Sequence, residues 1–170
     1  NGTQESVKRL CELGHSHIAL MPGPQNSVSA TLRLENWLSS LATFGKTPAA
    51  VIFGTWDAQS GYDGARELLD NKTAFSALLV GNDQMALGAL SALNKAGIAV
   101  PRQVSVIGYD DSYESAFFIP ALTTVRLDLD AQGQEAVARV LAATPDSTPD
   151  SCVMPAEFIL RDSITVNGKG

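Results

Sequence analysis

Residues 77–111, ALLVGNDQMALGALSALNKAGIAVPRQVSVIGYDD, contain a strand, a helix and a second strand in sequence order. The runs ALLV and VSVI are predominantly apolar, as in strands that are covered by helices on both faces. Between them apolar residues recur at helical spacing, Asn82 or Asp83 can cap the first turn, and Gly97 can end the helix. This order predicts two parallel strands joined by a crossover helix.

The same design recurs upstream of this unit. Apolar runs at 17–23 and 50–54 also close in glycine, and the four closing glycines follow one another at intervals of roughly 30 residues, about one strand, one helix and two loops. Residues 27–45 predict a helix with one apolar face, and residues 60–71 predict a weaker one because two glycines come early. The chain is therefore predicted to have an α/β fold, a doubly wound parallel sheet.

The regular alternation stops after position 110. A short strand TTVRL, a helix over 130–143, a loop rich in Pro, Ser and Asp at 144–155 and a last strand in AEFILRDSITV are expected there. Because this tail lacks the strand, helix, strand context of the first part, we expect it to complete a second lobe rather than the first sheet.

Composition narrows the class of protein. The 170 residues are 45% hydrophobic and 18% charged, which is typical of a globular protein with a sizeable core. No apolar run approaches the ~20 residues of a membrane span, and no basic-then-apolar leader opens the chain, so a cytoplasmic location without membrane contact is expected. The missing initiator Met suggests a piece of a longer protein. The net charge of −6 gives no electrostatic footprint for nucleic acid.

The two cysteines do not predict a metal or redox site. Cys11 lies on an expected N-terminal helix and Cys152 in the Pro/Ser/Asp-rich stretch, without the spacing of a zinc knuckle or a redox pair. Both are predicted to be plain thiols, and neither a metal nor a cofactor is expected.

Polar side chains follow each of the four predicted strands, at the edge of the sheet where ligands bind in open α/β folds. Any one of them could be an ordinary loop or cap residue. The set comprises Ser27, Ser29, Arg33, Thr55, Trp56, Asp57, Asn82, Asp83, Gln84, Asp110 and Asp111.

Catalytic interpretations of this set are weak. A nucleophilic triad needs a base, and the two histidines, His15 and His17, precede the first strand and are expected at the opposite edge. The loop MPGPQNS matches neither a phosphate loop nor a dinucleotide-binding turn, and no strand-end Lys supports a magnesium or phospho-acceptor site. A pair of carboxylates for glycosidic cleavage stays open, although neighbours in an extended segment point apart, so Asp110 and Asp111 should not share a pocket.

Recognition without chemistry fits the residue types better. Carboxylate and guanidinium groups bind paired hydroxyls, an amide supplies a donor and an acceptor, and an indole packs on the apolar face of a sugar ring. Arg33, Trp56, Asn82 and one of the strand-end carboxylates therefore predict recognition of a neutral polyol and no enzyme activity. The alternative for Trp56 is an ordinary core residue.

Several longer stretches carry a family resemblance. LLVGNDQMALGALSALNKAGIAVPRQVSVIGYDDS, IPALTTVRLDLDAQGQEAV, GPQNSVSATLRLENW and GTWDAQSG together resemble the effector-binding core of the lactose and galactose repressor family of bacterial transcription regulators. The resemblance implies two α/β lobes like those of periplasmic sugar-binding proteins, which close on a sugar inducer, and operator DNA binding through an N-terminal domain outside this chain. It assigns 1–126 to the C-terminal lobe, and 127–170 to a crossover partly belonging to the N-terminal lobe plus a returning strand.

The resemblance also implies roles for individual residues. Arg33, Trp56, Asn82 and Asp110 match sugar-contacting positions, Asp111 would face away into loop hydrogen bonds, and Leu129 would line the pocket. Positions 127 and 129 are both Leu here, where the lactose-responsive member has a polar and an aromatic residue, so the identity of the inducer stays open. With one lobe incomplete, weak or no inducer binding by residues 1–170 alone is expected.

The resemblance further implies a homodimer. Leu87, Phe117, Phe118 and Ile119 would lie at its interface, unless they are ordinary core residues. No leucine-repeat helix for tetramers occurs before Gly170. Two rival functions share the ligand chemistry, a periplasmic sugar-binding protein of a transporter and, less favoured, a carbohydrate-active enzyme.

Overall fold

The computed structural model describes residues 2–142 and 154–168. Within these residues the chain forms five α-helices, six β-strands and a short 3₁₀ helix, Tyr113–Phe117. The α-helices are α1 Gly2–Glu12, α2 Val28–Thr43, α3 Ala58–Asp70, α4 Asp83–Lys95 and α5 Leu129–Ala142. The strands are β1 Ile18–Met21, β2 Ala50–Val51, β3 Ala77–Val80, β4 Ser105–Ile107, β5 Thr124–Leu127 and β6 Ala156–Ile159.

The first four strands form a parallel sheet in the order β2-β1-β3-β4, which confirms the predicted doubly wound α/β fold. Successive side chains of the central strands point to opposite faces. Ala19 and Met21 of β1 pack in a core with α3 and α4, whereas Ile18 and Leu20 pack with α1 and α2 on the other face. Helices on both faces explain why these strands are apolar throughout.

Helix α3 begins earlier than predicted and is not a weak helix. Asp57 caps it at its N-terminus, where the Asp57 side chain accepts a hydrogen bond from the backbone N–H of Ser60 at 2.8 Å. Its early glycines permit a close crossing with α4. A Cβ on Gly61 would lie 1.9 Å from the carbonyl oxygen of Met85, and a Cβ on Gly88 would lie 1.8 Å from that of Ala58. The glycines are therefore a packing requirement, and the sequence pattern alone suggested the opposite.

The tail departs from its prediction. β5 and β6 form an antiparallel pair, but this pair is also attached to the edge of the main sheet. The backbone N–H of Gly108 donates to the carbonyl of Thr123 at 2.9 Å, and that of Val106 donates to the carbonyl of Ser163 at 2.8 Å. The expectation that the tail belongs away from the first sheet is thus wrong for these residues, because backbone hydrogen bonds of β4 are completed by them.

The helix, loop and last strand predicted for the tail have different outcomes. Helix α5 covers the predicted range, whereas the last strand ends at Ile159, well short of the expected stretch. Most of the predicted loop at 144–155, including Cys152, lies outside the described residues. None of the α5 residues is buried against the described part of the chain, and Val137, Val140 and Leu141 are exposed. No helix in the described part is long and apolar enough to cross a membrane.

Candidate functional site

The loops that follow the parallel strands bring the four predicted sugar-site residues together. Arg33 lies in the second turn of α2, whose N-terminal cap is Ser27. Trp56 lies in the loop after β2, Asn82 caps α4 after β3, and Asp110 follows β4. Contacts among these residues and their neighbours join α2 to the loops after β2, β3 and β4.

Arg33 is the centre of the cluster. Its guanidinium carbon lies 3.7 Å from the centroid of the Tyr109 ring and 5.7 Å from that of Trp56, and its Nη1 donates to the carbonyl oxygen of Gly81. Burial lowers the pKa of Arg33, and the nearby Tyr109 and Asp110 oppose that shift. The guanidinium stays charged, since arginine does not deprotonate in proteins, and it is also hydrogen-bonded to the Tyr109 side chain.

Trp56 is half-buried, and its ring lies against Gly23 and Gly81. A Cβ on Gly23 would lie 2.2 Å from the indole ring, and one on Gly81 would lie 3.2 Å from it, so both positions have to lack a side chain for the ring to lie there. The backbone of Trp56 has a φ of 74°, a value that side-chain-bearing residues rarely adopt. The alternative of an ordinary core residue is partly right, because the ring also packs against buried residues of the main core.

Asn82 joins two of the site loops. Its Nδ2 donates to the carbonyl of Trp56 at 2.9 Å, and its Oδ1 accepts from the backbone N–H of Met85 at 2.9 Å, which caps α4. An amide has a second N–H and a second lone pair. Asn82 can therefore hold the loop and the helix together while it keeps one donor and one acceptor for a ligand.

Asp110 is the acidic member of the cluster. Its φ is 103°, and its carboxylate accepts no hydrogen bond from any described residue. Although the residue is exposed as a whole, desolvation of its carboxyl group raises its pKa to about 6; Arg33 opposes this rise and the Asp83 carboxylate adds to it. Since no described residue donates to it, this carboxylate can accept hydrogen bonds from hydroxyl groups.

Asp111 is bonded to two arginines rather than to loop groups, yet it lines the same cleft as Asp110, so the expectation that these two carboxylates do not share a pocket is wrong. Oδ1 of Asp111 accepts from Nη2 of Arg161 at 2.6 Å, and Oδ2 accepts from Nε of Arg126 at 2.7 Å. These hydrogen bonds and charges lower the pKa of Asp111 against the opposing effect of burial, which is the largest single contribution. We expected an extended segment here, but Asp111 has a φ of 56°, so the segment is not extended.

Sequence reasoning missed one residue of the site, Tyr109, and the burial of another, Asp83. Tyr109, between Gly108 and Asp110, supplies the ring on which Arg33 packs. Asp83, expected as one of the polar residues at the strand ends, is instead fully buried; its carboxylate accepts from Thr124 Oγ1 at 2.7 Å and from the backbone N–H of Ser112 at 2.8 Å. Burial raises the pKa of Asp83, and these two bonds oppose the rise. An aromatic residue beside the strand-end acid was a usable signal for Tyr109, whereas the partners of Asp83 lie too far along the chain.

The predicted pocket residue Leu129 lines a cleft of about 760 Å³ that Asp110, Asp111 and Leu127 also line. A second cavity of about 240 Å³ lies next to Arg33 and Tyr109, and Leu127 and Met154 line it too. Leu129 is exposed at the start of α5. A cavity of about 500 Å³ between α1, α2 and β6 contains none of the predicted site residues.

The predicted dimer residues differ in exposure. Phe117 and Ile119 are 69% and 93% exposed, and Leu87 is 39% exposed. Phe118 instead is half-buried and packs against the main core, so the core alternative describes it better. Tyr113 adds a further exposed ring, 5.6 Å from that of Phe117.

His15 takes no part in the cluster around Arg33 through its described contacts. His15 lies elsewhere and is buried, with Nδ1 at 2.9 Å from Ser76 Oγ and Nε2 at 3.0 Å from the carbonyl of Thr165. Burial lowers the pKa of His15, against the effect of the Thr165 bond. Among the described residues no group of three or more His, Cys, Asp or Glu could hold a metal ion.

Comparison with known proteins gives a consistent picture. Residues 7–164 match the periplasmic binding protein-like domain. The chain is 41% identical over 165 residues to the lactose operon repressor of Klebsiella pneumoniae, covering 96% of this chain and 46% of that protein. It is 43% identical over 162 residues to the lactose operon repressor of Escherichia coli K12, with 95% and 45% covered. The chain thus spans about half the length of these curated relatives.

Solved structures agree in fold. A dimeric Lac repressor with a C-terminal deletion superposes with a TM-score of 0.92 at 38% identity, over 98% of this chain and 62% of that one. The Lac repressor dimer bound to operator and the anti-inducer ONPF gives a TM-score of 0.93 at 38% identity, over 96% and 58%. The described residues therefore share the architecture of these cores.

Proposed function

The chain belongs to the periplasmic binding protein-like domain family and closely resembles lactose operon repressors, and from this premise we propose that it is the effector-binding part of a bacterial transcription repressor. The effector is a sugar, and a galactoside is the first candidate. Residues 1–126 form the C-terminal lobe of the core, and residues 127–170 form the crossover toward the N-terminal lobe with a returning strand. Operator DNA is bound by a separate N-terminal domain, and the parent protein acts in the cytoplasm as a homodimer.

One observation carries the proposal. Arg33 contacts Tyr109 and lies beside Trp56 and Asp110, while Asn82 is hydrogen-bonded to Trp56, so a guanidinium, an indole, an amide and an unbonded carboxylate meet at one edge of the sheet. Each can hold a hydroxyl group or the apolar face of a sugar ring. Leu129 and Leu127 extend the same region with apolar surface.

The mechanism is a shift between two arrangements of the lobes. A sugar that contacts both lobes favours the arrangement to which it binds more tightly, and this bias is transmitted to the DNA-binding domains. The exposed side chains of α5 suit a helix that packs on the other lobe. The dimer forms through the surface made by Leu87, Tyr113, Phe117 and Ile119, whose exposed apolar side chains a second copy would cover.

No catalysis is proposed. The two lactose operon repressors that this chain resembles are named as repressors, and the described partners of His15 are Ser76 and Thr165 rather than an acid of the site. Titrating the full-length protein with methyl β-D-galactoside and related sugars tests the proposal. Saturable binding with the sugar recovered unchanged is expected, whereas turnover of a chromogenic galactoside that is lost in Asp110→Asn would favour the enzyme alternative.

A further inference from the structure

The loop that carries Asp110 has an unusual backbone. Asp110 and Asp111 have φ values of 103° and 56°, in a region that residues with side chains rarely occupy. Such a conformation persists where surrounding contacts over-determine it. The contacts that hold this loop therefore determine the direction in which the Asp110 carboxylate points.

Asp111 is held by two arginines of very different exposure. Its side chain is 7% exposed and accepts from Arg161 Nη2 at 2.6 Å and from Arg126 Nε at 2.7 Å. The Arg126 side chain is 49% exposed and is shared with Glu157, 3.2 Å away. The Arg161 side chain is 17% exposed, so its bond to Asp111 is less screened by solvent.

Arg161 also bonds to two other segments of the chain. Its Nη1 donates to the carbonyl of Leu122 at 2.8 Å and to Ser115 Oγ at 3.2 Å. Arg161 lies just after β6, in the returning segment, residues 160–168. One guanidinium therefore ties this segment to the Asp111 loop, to the 3₁₀ helix and to the residues that lead into β5.

The opposite side of the loop is fixed by Asp83. Its carboxylate accepts from the backbone N–H of Ser112 and from Thr124 Oγ1. The two residues that follow Asp110 are thus both anchored: Asp111 through its side chain, and Ser112 through its backbone N–H. Asp83 is buried at the start of α4, whereas Arg161 belongs to the returning segment.

We infer that Arg161 is a positioning residue for the ligand site, which acts through Asp111 to set the direction of the Asp110 carboxylate and couples that direction to the returning segment after β6. This inference rests on the proposed function, because it assigns a role at the same site. It predicts that sugar affinity responds to a residue that touches no sugar, through a hydrogen-bonded path that can be interrupted at one point.

The test compares variants at the two arginines of Asp111 in the full-length protein. Arg161→Met removes the buried partner, Arg161→Lys keeps the charge but loses the forked geometry, and Arg126→Gln removes the exposed partner of the same carboxylate as the matched control. Affinity for methyl β-D-galactoside is measured by calorimetry. Independently of any sugar, carboxyl-carbon NMR of labelled aspartate follows the titration of Asp110.

Arg161→Met is expected to weaken galactoside binding by about tenfold or more and to shift the Asp110 titration, while Arg126→Gln changes affinity by less than about threefold. If Arg161→Met does not fold, Arg161→Lys carries the same expectation with a smaller loss. The inference is overturned if the arginine variants at 161 bind as the wild type does, or if Arg126→Gln has the same effect as Arg161→Met.

A wild-type protein that binds no galactoside would count against the proposed function rather than against the role of Arg161. In that case the Asp110 titration decides by itself. A midpoint in Arg161→Met that differs from the wild type supports the positioning role, and an unchanged midpoint in all variants rejects it.

Discussion

The Asp110 carboxyl group, which we propose as a ligand-binding group, is costly to ionise in the folded protein. Its pKa of about 6 lies above its ordinary value, since desolvation and the Asp83 charge together outweigh the attraction of Arg33. A carboxyl group whose pKa is raised in the folded state binds more protons there than in the unfolded chain, so folding stability from this group is gained as the pH falls through about 6 and is lost as the pH rises through it.

Asp110→Asn is therefore expected to stabilise the fold near neutral pH. The amide removes the cost of an ionised, desolvated group, and asparagine tolerates a positive φ at least as well as aspartate. The melting temperature of the variant should exceed that of the wild type at about pH 8, with the difference shrinking toward about pH 4.

The exposed Asp162→Asn controls for the loss of one negative charge. An Asp110→Asn variant that is less stable than the wild type at neutral pH, with no change in the difference on acidification, would contradict this assignment. Acidification should stabilise the fold through Asp110 but weaken sugar binding, because the protonated carboxyl group is a poorer acceptor of hydroxyl hydrogen bonds. The affinity for the sugar should therefore fall as the pH is lowered through about 6.

Arg33→Lys tests the geometry of the central guanidinium. A lysine ammonium cannot pack flat on Tyr109 while it donates to the Gly81 carbonyl, so galactoside affinity should drop by about tenfold or more. Calorimetry on the full-length protein measures this. Arg66→Lys, at an exposed pair with Asp70 on α3, is the control and should bind as the wild type does; equal affinities in both variants would remove Arg33 from the site.

For individual residues, the sequence predicted the types of side chain in the site but not the contacts between them. Arg33, Trp56, Asn82 and Asp110 could be chosen because each follows a recognisable strand. The packing of Arg33 on Tyr109 depends on side-chain direction, and the bonds of Asp83 to Ser112 and Thr124 depend on residues that are distant in sequence. Neither is visible in a local pattern.

Helices α3 and α4 depend on glycine for their close crossing. Gly88→Ala would bring a methyl group within 1.8 Å of the Ala58 carbonyl oxygen, so the helices must separate, at a cost of about 1–3 kcal/mol in the free energy of unfolding. Chemical denaturation measures this difference.

The matched control is Gly133→Ala on α5, where an added Cβ meets nothing within 4 Å. It should be neutral or stabilising by about 0.5–1 kcal/mol, because alanine favours helix over glycine. Similar free energies of unfolding for the two variants would show that the crossing is not glycine-dependent.

Elements were predictable where one local signal dominated. Apolar runs and caps located β1 to β4 and the helices α2 and α4 closely. The start of α3 was placed too late, because glycines required for packing were interpreted as weak helix propensity. The attachment of the tail beside β4 was missed, since hydrogen bonds such as that from Val106 to Ser163 join residues far apart in the chain.

For the whole molecule, the proposed dimer surface makes a direct prediction. Phe117→Glu places a charge among exposed apolar side chains that a second copy would bury, so the full-length protein should shift from dimer to monomer in sedimentation velocity. Val166→Glu, at another exposed apolar residue, should leave the dimer intact. A dimer that persists in Phe117→Glu would exclude this surface.

The two-lobed mechanism makes a prediction about residues 1–170 alone. If the sugar has to contact both lobes, this piece should bind a galactoside far more weakly than the full-length protein, or not at all. Parallel calorimetric titrations compare the two. Tight binding by residues 1–170 would contradict the requirement for a second lobe.

The most direct test of the account is a calorimetric titration of the full-length protein with methyl β-D-galactoside, with the sugar recovered and analysed afterwards. We expect saturable binding, an unchanged sugar, and loss of that binding in Asp110→Asn. Equal affinity in Asp110→Asn and the wild type, or recovery of a cleaved sugar, would contradict the claim that Arg33, Trp56, Asn82 and Asp110 bind a sugar without transforming it.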